Sequence, residues 1–287
     1  MHDIEAKSIL SPKNGMNLYR GCTHGCIYCD SRSNCYGMTF TFEDVAVKRN
    51  APQLLEAALR KKKVPCMIGT GSMSDPYMPL EKTECMTRTC LELIDRYGFG
   101  FSTITKSDLI LRDIDLLQSV NQKAKCVVQM TLTTYDDDLC RILEPNVAVT
   151  SRRFEVLKEL QKAGIPTVVW MTPILPFIND TDENIRGLLN YCSDAGVKGI
   201  ISFGIGMTLR SGNREYFYKK LDAHFPGMKR QYMHSFGSSY GIKSPNSKVL
   251  GKLVTDFCKA HGILTDTKEV FDYASQLELP QTQLSLF

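Results

Sequence analysis

The chain has no long uninterrupted apolar run, and it does not begin with a basic stretch followed by an apolar segment. Its most apolar window, residues 165–178, is broken by three prolines and is shorter than the roughly 20 residues that a membrane-spanning helix needs. The first five residues, Met-His-Asp-Ile-Glu, do not resemble a secretory signal. We therefore expect neither a signal peptide nor a membrane anchor, and we predict a cytoplasmic protein.

The chain also lacks a strong charge excess, internal repeats and low-complexity segments. Its net charge of +4 and its pI of about 8.4 lie below the strongly basic range of dedicated nucleic-acid-binding domains. Charge alone therefore neither requires nor excludes a nucleic-acid substrate. At 287 residues the chain is long enough to bury a large core, either as one α/β domain or as a barrel with an appended segment.

A disulfide framework is not indicated either, although cysteine is plentiful. The eleven cysteines are odd in number and unevenly spaced, and most lie in apolar helix or strand contexts where buried free thiols are common. A chain so rich in thiols fits a reducing compartment. Three cysteines stand apart from the others, because Cys22, Cys26 and Cys29 fall within eight residues of one glycine-containing loop.

This loop carries the ligands of a metal site. Three thiolates are one ligand short of a structural zinc site, and His24 or Cys35 could supply the fourth. Zinc ligands, however, usually come as two separated pairs. A four-iron, four-sulfur (4Fe-4S) cluster ordinarily takes four cysteines, so three would leave one iron open to a small molecule. The crowded spacing favours the cluster, with zinc and a plain reduced-thiol loop as the alternatives.

The segment from Arg20 to Cys29 resembles the cluster loop of the radical S-adenosylmethionine (SAM) superfamily. The resemblance implies that Cys22, Cys26 and Cys29 hold a 4Fe-4S cluster and that Tyr28 lies beside the SAM adenine. In that family SAM chelates the open iron, and an electron from the cluster breaks the sulfonium to give a 5′-deoxyadenosyl radical that takes a hydrogen atom from the substrate. The resemblance also implies that an electron donor such as flavodoxin or ferredoxin reduces the cluster.

Short β-like runs alternate with helical patterns, as in a parallel sheet wrapped by helices. We predict strands at residues 16–19, 66–70, 100–105, 124–131, 167–172 and 199–203. The helices are predicted at about 52–62, 81–97, 112–120, 152–163, 182–195 and 213–225. The resemblance implies a partial barrel with this number of strand–helix units. The predicted fold class is α/β: a partial (β/α)6 TIM-type barrel over residues 1–225, a C-terminal helical extension over 226–279 with a helix at about 248–261, and a tail over 280–287.

Barrel enzymes place their sites at the C-terminal ends of the strands, and polar side chains stand there in this chain. Ser74 and Asp75 follow the second strand, where many radical SAM enzymes have a Gly-Gly-Glu motif that this chain lacks; the resemblance assigns them the SAM amino group. Lys106 follows the third strand and can neutralise a carboxylate such as that of SAM. Gln129 and Thr131 alternate on the fourth strand and share one face, which suits hydrogen bonds to a ribose. An ordinary structural role is the alternative for each.

Three motifs narrow the resemblance to the spore photoproduct lyase-like branch, whose members are often labelled DNA repair photolyases. They are the cysteine loop, Ser-Asp-Pro-Tyr-x-Pro-x-Glu at residues 74–81 and Leu-Glu-Pro at residues 143–145. The expected substrate is then a nucleobase, for instance in damaged DNA. A radical SAM enzyme acting on a peptide or small metabolite is one alternative, and a non-catalytic metal-binding protein recruited to a sliding clamp is another. Glu81 and Glu144 are expected to be structural.

The sequence departs from the spore photoproduct lyases at one position that matters for the chemistry. In those enzymes a cysteine before the Thr-Ser-Asp segment returns a hydrogen atom to the repaired thymine radical. Ser72 holds that place here, and a hydroxyl O–H is a much stronger bond than a thiol S–H. Repair of that lesion by that mechanism is therefore not expected.

The last five residues resemble the pentapeptide by which bacterial proteins dock on the DNA polymerase sliding clamp. They are Gln283, Leu284, Ser285, Leu286 and Phe287. An extended tail of this kind inserts its apolar side chains into a hydrophobic groove, with the glutamine at the rim. An apolar pair exposed at a free end would otherwise be a liability, although packing on the chain's own domain is the alternative. A clamp would bring the enzyme to DNA without a basic footprint.

Overall fold

The computed structural model describes residues 1–277, so the clamp-binding-like tail lies outside the described residues. Along this part of the chain the strands are β1 (His2–Ile4), β2 (Gly15–Met16), β3 (Tyr19–Arg20), β4 (Ala46–Lys48), β5 (Met67–Thr70), β6 (Gly100–Thr105), β7 (Cys126–Thr131), β8 (Thr167–Trp170), β9 (Gly199–Ile201), β10 (Gly206–Thr208) and β11 (Gly241–Lys243). The helices are α1 (Ala51–Lys61), α2 (Glu81–Glu84), α3 (Met86–Arg96), α4 (Ile114–Lys123), α5 (Asp137–Leu143), α6 (Thr150–Lys162), α7 (Asp182–Asp194), α8 (Asn213–His224), α9 (Met228–Phe236), α10 (Ser247–His261) and α11 (Thr267–Ser275). Short 3₁₀ helices cover Asp30–Arg32, Asn34–Tyr36 and Asp108–Asp113.

Six strands form one parallel sheet in the order β2-β5-β6-β7-β8-β9. The outer face of this sheet carries Phe101, Val128 and Val169, which share one buried apolar cluster with side chains of the surrounding helices α1, α3, α4, α6 and α7. Every residue of β7 is buried, as expected for a parallel sheet that is covered on both faces. The predicted α/β fold with a partial (β/α)6 barrel is therefore confirmed.

The inner face of the sheet is arranged in layers. The deepest layer is apolar and includes helix α11, which contacts both β5 and β9; its members are Met67, Val127, Val168, Ile201, Val270 and Ala274. Close packing of this helix depends on Gly199, because a Cβ at that position would lie 2.9 Å from the side chain of Val270. Gln129 and Trp170, two residues further along β7 and β8, point to the same face and form the next layer together with Ser102.

Two predicted elements differ from the structure. The predicted strand at residues 16–19 is divided: β2 joins the barrel, whereas β3 pairs antiparallel with β4 in a small sheet of order β1-β4-β3. The predicted helix at 81–97 is broken at Cys85, which has φ +50°. The break is stabilised because the carboxylate of Glu81 accepts the Thr87 N–H, at 3.0 Å, at the start of α3. Sequence patterns also missed α5 and the β10–β11 pair.

The C-terminal part of the described chain is joined to the barrel at several places. β11 pairs antiparallel with β10, and α10 packs against α7. The predicted division at residues 225 and 279 stays a prediction. No helix within residues 1–277 has both the length and the apolar composition to cross a membrane. All eleven cysteines lie in this part and are free thiols.

Candidate active site at the cysteine loop

The cysteine loop begins directly after β3 and is held by hydrogen bonds to two distant segments. The Cys22 N–H donates to the Phe42 carbonyl at 2.9 Å, and the Ile27 N–H donates to the Leu143 carbonyl at 3.0 Å. Gly21 has φ +94°, and a Cβ there would lie 2.5 Å from the Phe42 carbonyl oxygen, so only glycine fits. The backbone of the loop is thus fixed by the protein itself.

The Leu-Glu-Pro motif at residues 143–145 and the asparagine after it support the middle of the loop. The Asn146 N–H donates to the His24 carbonyl at 3.1 Å, and the Asn146 side-chain amide donates to the Thr23 carbonyl at 2.9 Å. The proline of the motif packs so closely that a Cβ at Gly25 would lie 3.1 Å from its ring. Two motifs that are far apart in the sequence therefore build one loop.

Glu144, the acidic residue of the motif, is buried and connects the loop to the barrel. Its carboxylate accepts hydrogen bonds from the Tyr28 hydroxyl and the Arg153 guanidinium, and Arg153 also donates to the Thr131 carbonyl at 2.6 Å. Burial alone would raise the pKa of Glu144, but Arg153 and Lys106 outweigh burial and hold this pKa below its usual value. Glu144 is therefore ionised at neutral pH and orients Tyr28.

The three cysteines differ in their exposure. Cys22 and Cys26 are buried, whereas Cys29 is partly exposed and lines a cavity. Burial raises the pKa of Cys22 to about 12 and the pKa of Cys26 well above its usual value, although the Lys106 ammonium opposes the effect at Cys26. A bound metal removes this penalty, because a coordinated thiol is deprotonated outright.

A cavity of about 530 Å³ opens beside the cysteine loop at the C-terminal ends of the barrel strands. Its volume lies within the range of small-molecule sites. Tyr28 and Cys29 line it from the loop, and Lys106 and Thr131 line it from the strand ends. The Lys106 ammonium lies 5.9 Å from the centre of the Tyr28 ring. Burial alone would lower the pKa of Lys106, but Cys26 and Glu144 outweigh burial and raise it, so this cation stays charged inside the cavity.

Asp75, predicted to bind the SAM amino group, is not among the residues that line this cavity. Its carboxylate accepts hydrogen bonds from the Thr105 hydroxyl and the Lys106 N–H, both at 2.8 Å, and lies 3.4 Å from Nδ1 of His24. Asp75 therefore joins the loop after β5 to the end of β6 and to the cysteine loop. The predicted contact with SAM stays a prediction.

Ser74 is also absent from the lining of the cavity, while Ser72 is present in it. The Ser74 hydroxyl donates to the Tyr19 carbonyl at 3.2 Å, just before the cysteine loop. Gly71 and Ser72 of the loop after β5 line the cavity, and the predicted contact of Ser74 with SAM stays a prediction.

The amide of Gln129, predicted to bind the SAM ribose, is used within the barrel. It donates to the Ser102 hydroxyl at 2.9 Å and accepts a hydrogen bond from the Trp170 indole N–H at 2.7 Å. These three side chains form a polar layer above the apolar layer that contains α11. Thr131, two residues further along β7, lines the cavity. The ribose contacts of both residues stay predictions.

Sequence reasoning missed some residues of the site. Trp170 and Phe203 line the cavity, and Arg153 is the buried partner of Glu144. A partial signal was available, because Trp170 is the single tryptophan of the chain and stands near the end of the fifth predicted strand. Nothing in the local pattern around Phe203 marks it as different from an ordinary buried strand residue.

The residues considered as a fourth zinc ligand have other neighbours. His24 faces Asp75, and the exposed Cys35 accepts a hydrogen bond from the Arg210 guanidinium at 3.2 Å. Within residues 1–277, no three His, Cys, Asp or Glu side chains lie close enough to hold a single metal ion. The cysteines of a 4Fe-4S cluster each bind a different iron, so they need not converge on one point. The thiol donor set and the adjoining cavity fit a cluster with one small ligand.

Comparisons with known proteins agree with this geometry. A sequence model of the radical SAM superfamily matches residues 16–192. An uncharacterised protein of Methanocaldococcus jannaschii is 33% identical over 62% of this chain and 69% of its own length. A radical SAM Nalpha-GlyT isomerase of Pseudomonas phage M6 is 24% identical over 63% of this chain and 36% of its own length. The structure of spore photoproduct lyase complexed with dinucleoside spore photoproduct gives a TM-score of 0.63 at 13% identity, covering 90% of this chain and 78% of that one.

The likeness to spore photoproduct lyase, at this identity, establishes the partial-barrel fold. The family match covers more than half of the chain and includes the cysteine loop. It confirms the superfamily resemblance drawn from the sequence, and with it the predicted cofactors, a 4Fe-4S cluster and SAM. We conclude that the chain is an enzyme that belongs to the radical SAM superfamily.

Proposed function

We propose that this enzyme acts on a nucleobase in DNA and binds SAM in the cavity beside the cysteine loop. When bound, the cluster and SAM supply a 5′-deoxyadenosyl radical that takes a hydrogen atom from the substrate. The observation that carries the proposal is that one cavity, with the volume of a small-molecule site, is lined by Cys29, Tyr28 and Lys106. The nucleobase is supported by the sequence motifs shared with the spore photoproduct lyase-like branch and by the fold of that lyase, which was solved with a dinucleoside lesion bound.

The residues of the cavity have distinct tasks in this proposal. Cys22, Cys26 and Cys29 hold the cluster, and Lys106 pairs with the SAM carboxylate, since its raised pKa keeps it charged. The Tyr28 ring, oriented by Glu144, forms the wall beside the adenine. Trp170, which lines the cavity, is held by its hydrogen bond to Gln129.

Ser72 limits which reaction this enzyme performs. It lines the cavity, at the place where the resemblance to spore photoproduct lyases puts a hydrogen-donating cysteine. Since a hydroxyl gives up a hydrogen atom far less readily than a thiol, residue 72 does not quench a substrate radical. We therefore propose a nucleobase reaction other than thiol-quenched repair of the spore photoproduct, in the reducing cytoplasm that suits eleven cysteines of which none forms a disulfide.

Mass spectrometry of DNA tests the proposed function. Lesion-bearing and undamaged DNA are incubated anaerobically with the reconstituted enzyme, a reductant and SAM, and the nucleosides are analysed after digestion. We expect 5′-deoxyadenosine together with a changed nucleoside, and neither without the reductant. If peptides or small metabolites promote 5′-deoxyadenosine formation and no nucleoside changes, the nucleobase proposal is wrong and the alternative substrate class is supported.

We also propose that residues 283–287 dock on the DNA polymerase sliding clamp. The proposal is supported by the sequence of the pentapeptide alone and would supply a high local concentration of DNA. Replacing Leu286 and Phe287 by alanine should abolish binding to immobilised clamp, whereas Gln281→Ala, outside the pentapeptide, should not. An intact protein without measurable clamp affinity would contradict the proposal.

A further inference from the structure

The mouth of the cavity carries an aromatic surface that the proposed binding of SAM does not use. Phe203 lines the cavity, yet 61% of its surface is exposed. Its ring centre lies 5.8 Å from that of Trp170, at an angle of 70°, and 6.2 Å from that of Phe271, at an angle of 26°. Single exposed apolar side chains are ordinary, but a group of aromatic rings at the entrance to a catalytic cavity marks a contact surface.

The rings of this aromatic surface are held by contacts within the protein. The Trp170 indole is fixed by its hydrogen bond to Gln129, which is itself bonded to Ser102. The indole also packs edge to face on Phe271, with ring centres 5.8 Å apart at 81°. A ligand that stacks here therefore does not have to immobilise these side chains, and preorganisation of this kind strengthens binding.

The charged side chains of the cavity favour an anionic ligand. Lys106 and Lys243 both line it, and Asp30 is the acidic residue in its lining. The Asp30 carboxylate already accepts hydrogen bonds from the hydroxyls of Tyr36, at 2.9 Å, and Thr208, at 3.2 Å. Lys243 is exposed on β11. An exposed aromatic ring and an exposed cation that line the same cavity match the chemistry of an unpaired nucleotide, whose base stacks and whose phosphate pairs with lysine.

The size of the cavity decides how such a substrate is presented. A volume of about 530 Å³ suits one cofactor-sized ligand, so a DNA strand cannot enter as a whole. Enzymes that act on a base inside DNA take it out of the helical stack and read it in a pocket, often between aromatic or apolar side chains. The aromatic surface lies where such a base would meet the cavity.

We propose that an unpaired base of the substrate stacks on the exposed ring of Phe203, which packs edge to face with Trp170, and that Lys243, in the lining of the same cavity, pairs with its phosphate. This inference rests on the proposed function and deepens it, because it names an unstacked nucleotide as the group recognised. Phe203 is the more exposed ring of the two, so we assign the stacking contact to it.

The test measures the affinity of a fluorescein-labelled single-stranded thymidine oligonucleotide for the anaerobic holoenzyme with SAM. Phe203→Ala should weaken binding by roughly 5- to 150-fold, the loss expected for one base–aromatic stack. Phe203→Tyr should restore the affinity, whereas Phe203→Leu, which keeps apolar area without an aromatic face, should not. Val249→Ala removes another exposed apolar side chain, on α10, and should bind like the parent protein.

The emission of Trp170 gives an independent measurement, because it is the single tryptophan of the chain. The unlabelled oligonucleotide should quench this emission in the parent protein and do so less in Phe203→Ala at equal concentration. Equal oligonucleotide affinities of the parent and Phe203→Ala would overturn the inference and leave the proposed function standing. If Phe203→Ala weakened the binding of SAM as much as that of the oligonucleotide, the Phe203 ring would be assigned to the adenine of SAM, and the inference would also be overturned. No oligonucleotide binding by the parent, with SAM cleavage intact, would contradict the nucleobase substrate itself.

Discussion

Glu144 connects the cysteine loop to the barrel through one ion pair. A buried carboxylate is costly unless it is paired and fully hydrogen-bonded, and here Arg153 and Tyr28 meet that requirement. Arg153 is itself completely buried and has further acceptors, the Ala148 carbonyl at 2.7 Å and the Thr131 carbonyl at 2.6 Å. Removal of one partner therefore leaves the other charge buried and uncompensated.

Glu144→Gln should lower the free energy of unfolding by about 3–5 kcal/mol, the usual cost of breaking a buried ion pair. Glu159→Gln is the matched control, because Glu159 pairs with Arg152 at 3.0 Å on the surface, where such a pair contributes less than about 1 kcal/mol. Anaerobic denaturant titration measures both. Equal losses for the two variants would show that the buried pair has no special role.

The same pair predicts a dependence of stability on pH. Since the pKa of Glu144 is lowered on folding, its contribution is complete above the unfolded value of about 4.3 and is lost as pH falls through the lower folded value. Stability of the parent protein should therefore decrease more steeply than that of Glu144→Gln as the pH is taken from about 5 downward. Parallel curves for the two proteins would contradict this.

Gln129 fixes the indole of Trp170, and its replacement tests that function. Gln129→Leu should destabilise the protein by about 1–3 kcal/mol, because the indole N–H loses its acceptor within the barrel, and should shift the emission of Trp170. Gln118→Leu, which removes the hydrogen bond of 3.0 Å that Gln118 of α4 donates to the Ala163 carbonyl at the end of α6, should leave that emission unchanged. An unaltered emission in Gln129→Leu would contradict the assigned role.

Helix α11 belongs to the barrel interior although it comes last in the described chain. Val270 and Ala274 pack against residues from β5, β7, β8 and β9, and Phe271 extends the helix to the aromatic surface. The sequence did not predict this helix, because a short amphipathic segment near a terminus gives no sign of the sheet that it will fill. Most of the barrel strands were predictable, since they are short runs rich in apolar and β-branched residues between helical patterns.

Other elements were missed because they depend on tertiary contacts, which a local sequence pattern does not record. The predicted strand at residues 16–19 is two strands that pair in different sheets, β2 with β5 and β3 with β4. The periodicity of a sequence cannot show such a change of pairing partner. The helix break at Cys85 depends on the buried carboxylate of Glu81, which is a tertiary interaction. In the site, the cysteines and Glu144 were predictable because they belong to sequence motifs. The alternation of residues on the fourth predicted strand placed Gln129 on the inner face, but it could not show that the Gln129 amide forms hydrogen bonds with Ser102 and Trp170.

Val270→Asp should release α11 from the barrel, because it places an unpaired carboxylate in the deepest apolar layer. We expect faster proteolysis between residues 262 and 266 and a shift of the Trp170 emission, since the indole loses Phe271. Ser275→Asp adds the same group at an exposed position of the helix and should change neither. Equal protease resistance of the two variants would show that α11 is not part of the interior.

The whole molecule brings three sequence motifs to one place. The cysteine loop is supported by the Leu-Glu-Pro segment, and the Ser-Asp-Pro segment joins it through Asp75 to the end of β6. All three lie at the C-terminal ends of the barrel strands, where enzymes of this architecture place their sites. The cavity opens on one side of the loop, so a ligand bound there adjoins Cys29 and Lys106. The central claim is that this loop carries a cluster with an open iron.

Anaerobic reconstitution of single cysteine variants tests that claim most directly. The parent protein and Cys35→Ser, whose thiol is exposed next to Arg210, should bind about four iron ions per chain and, when reduced, cleave SAM to 5′-deoxyadenosine. The serine variants of Cys22, Cys26 and Cys29 should each lose the cluster and the cleavage. Full iron content with SAM cleavage in any of these three, or a single bound zinc ion and no cleavage in the parent protein, would contradict the account.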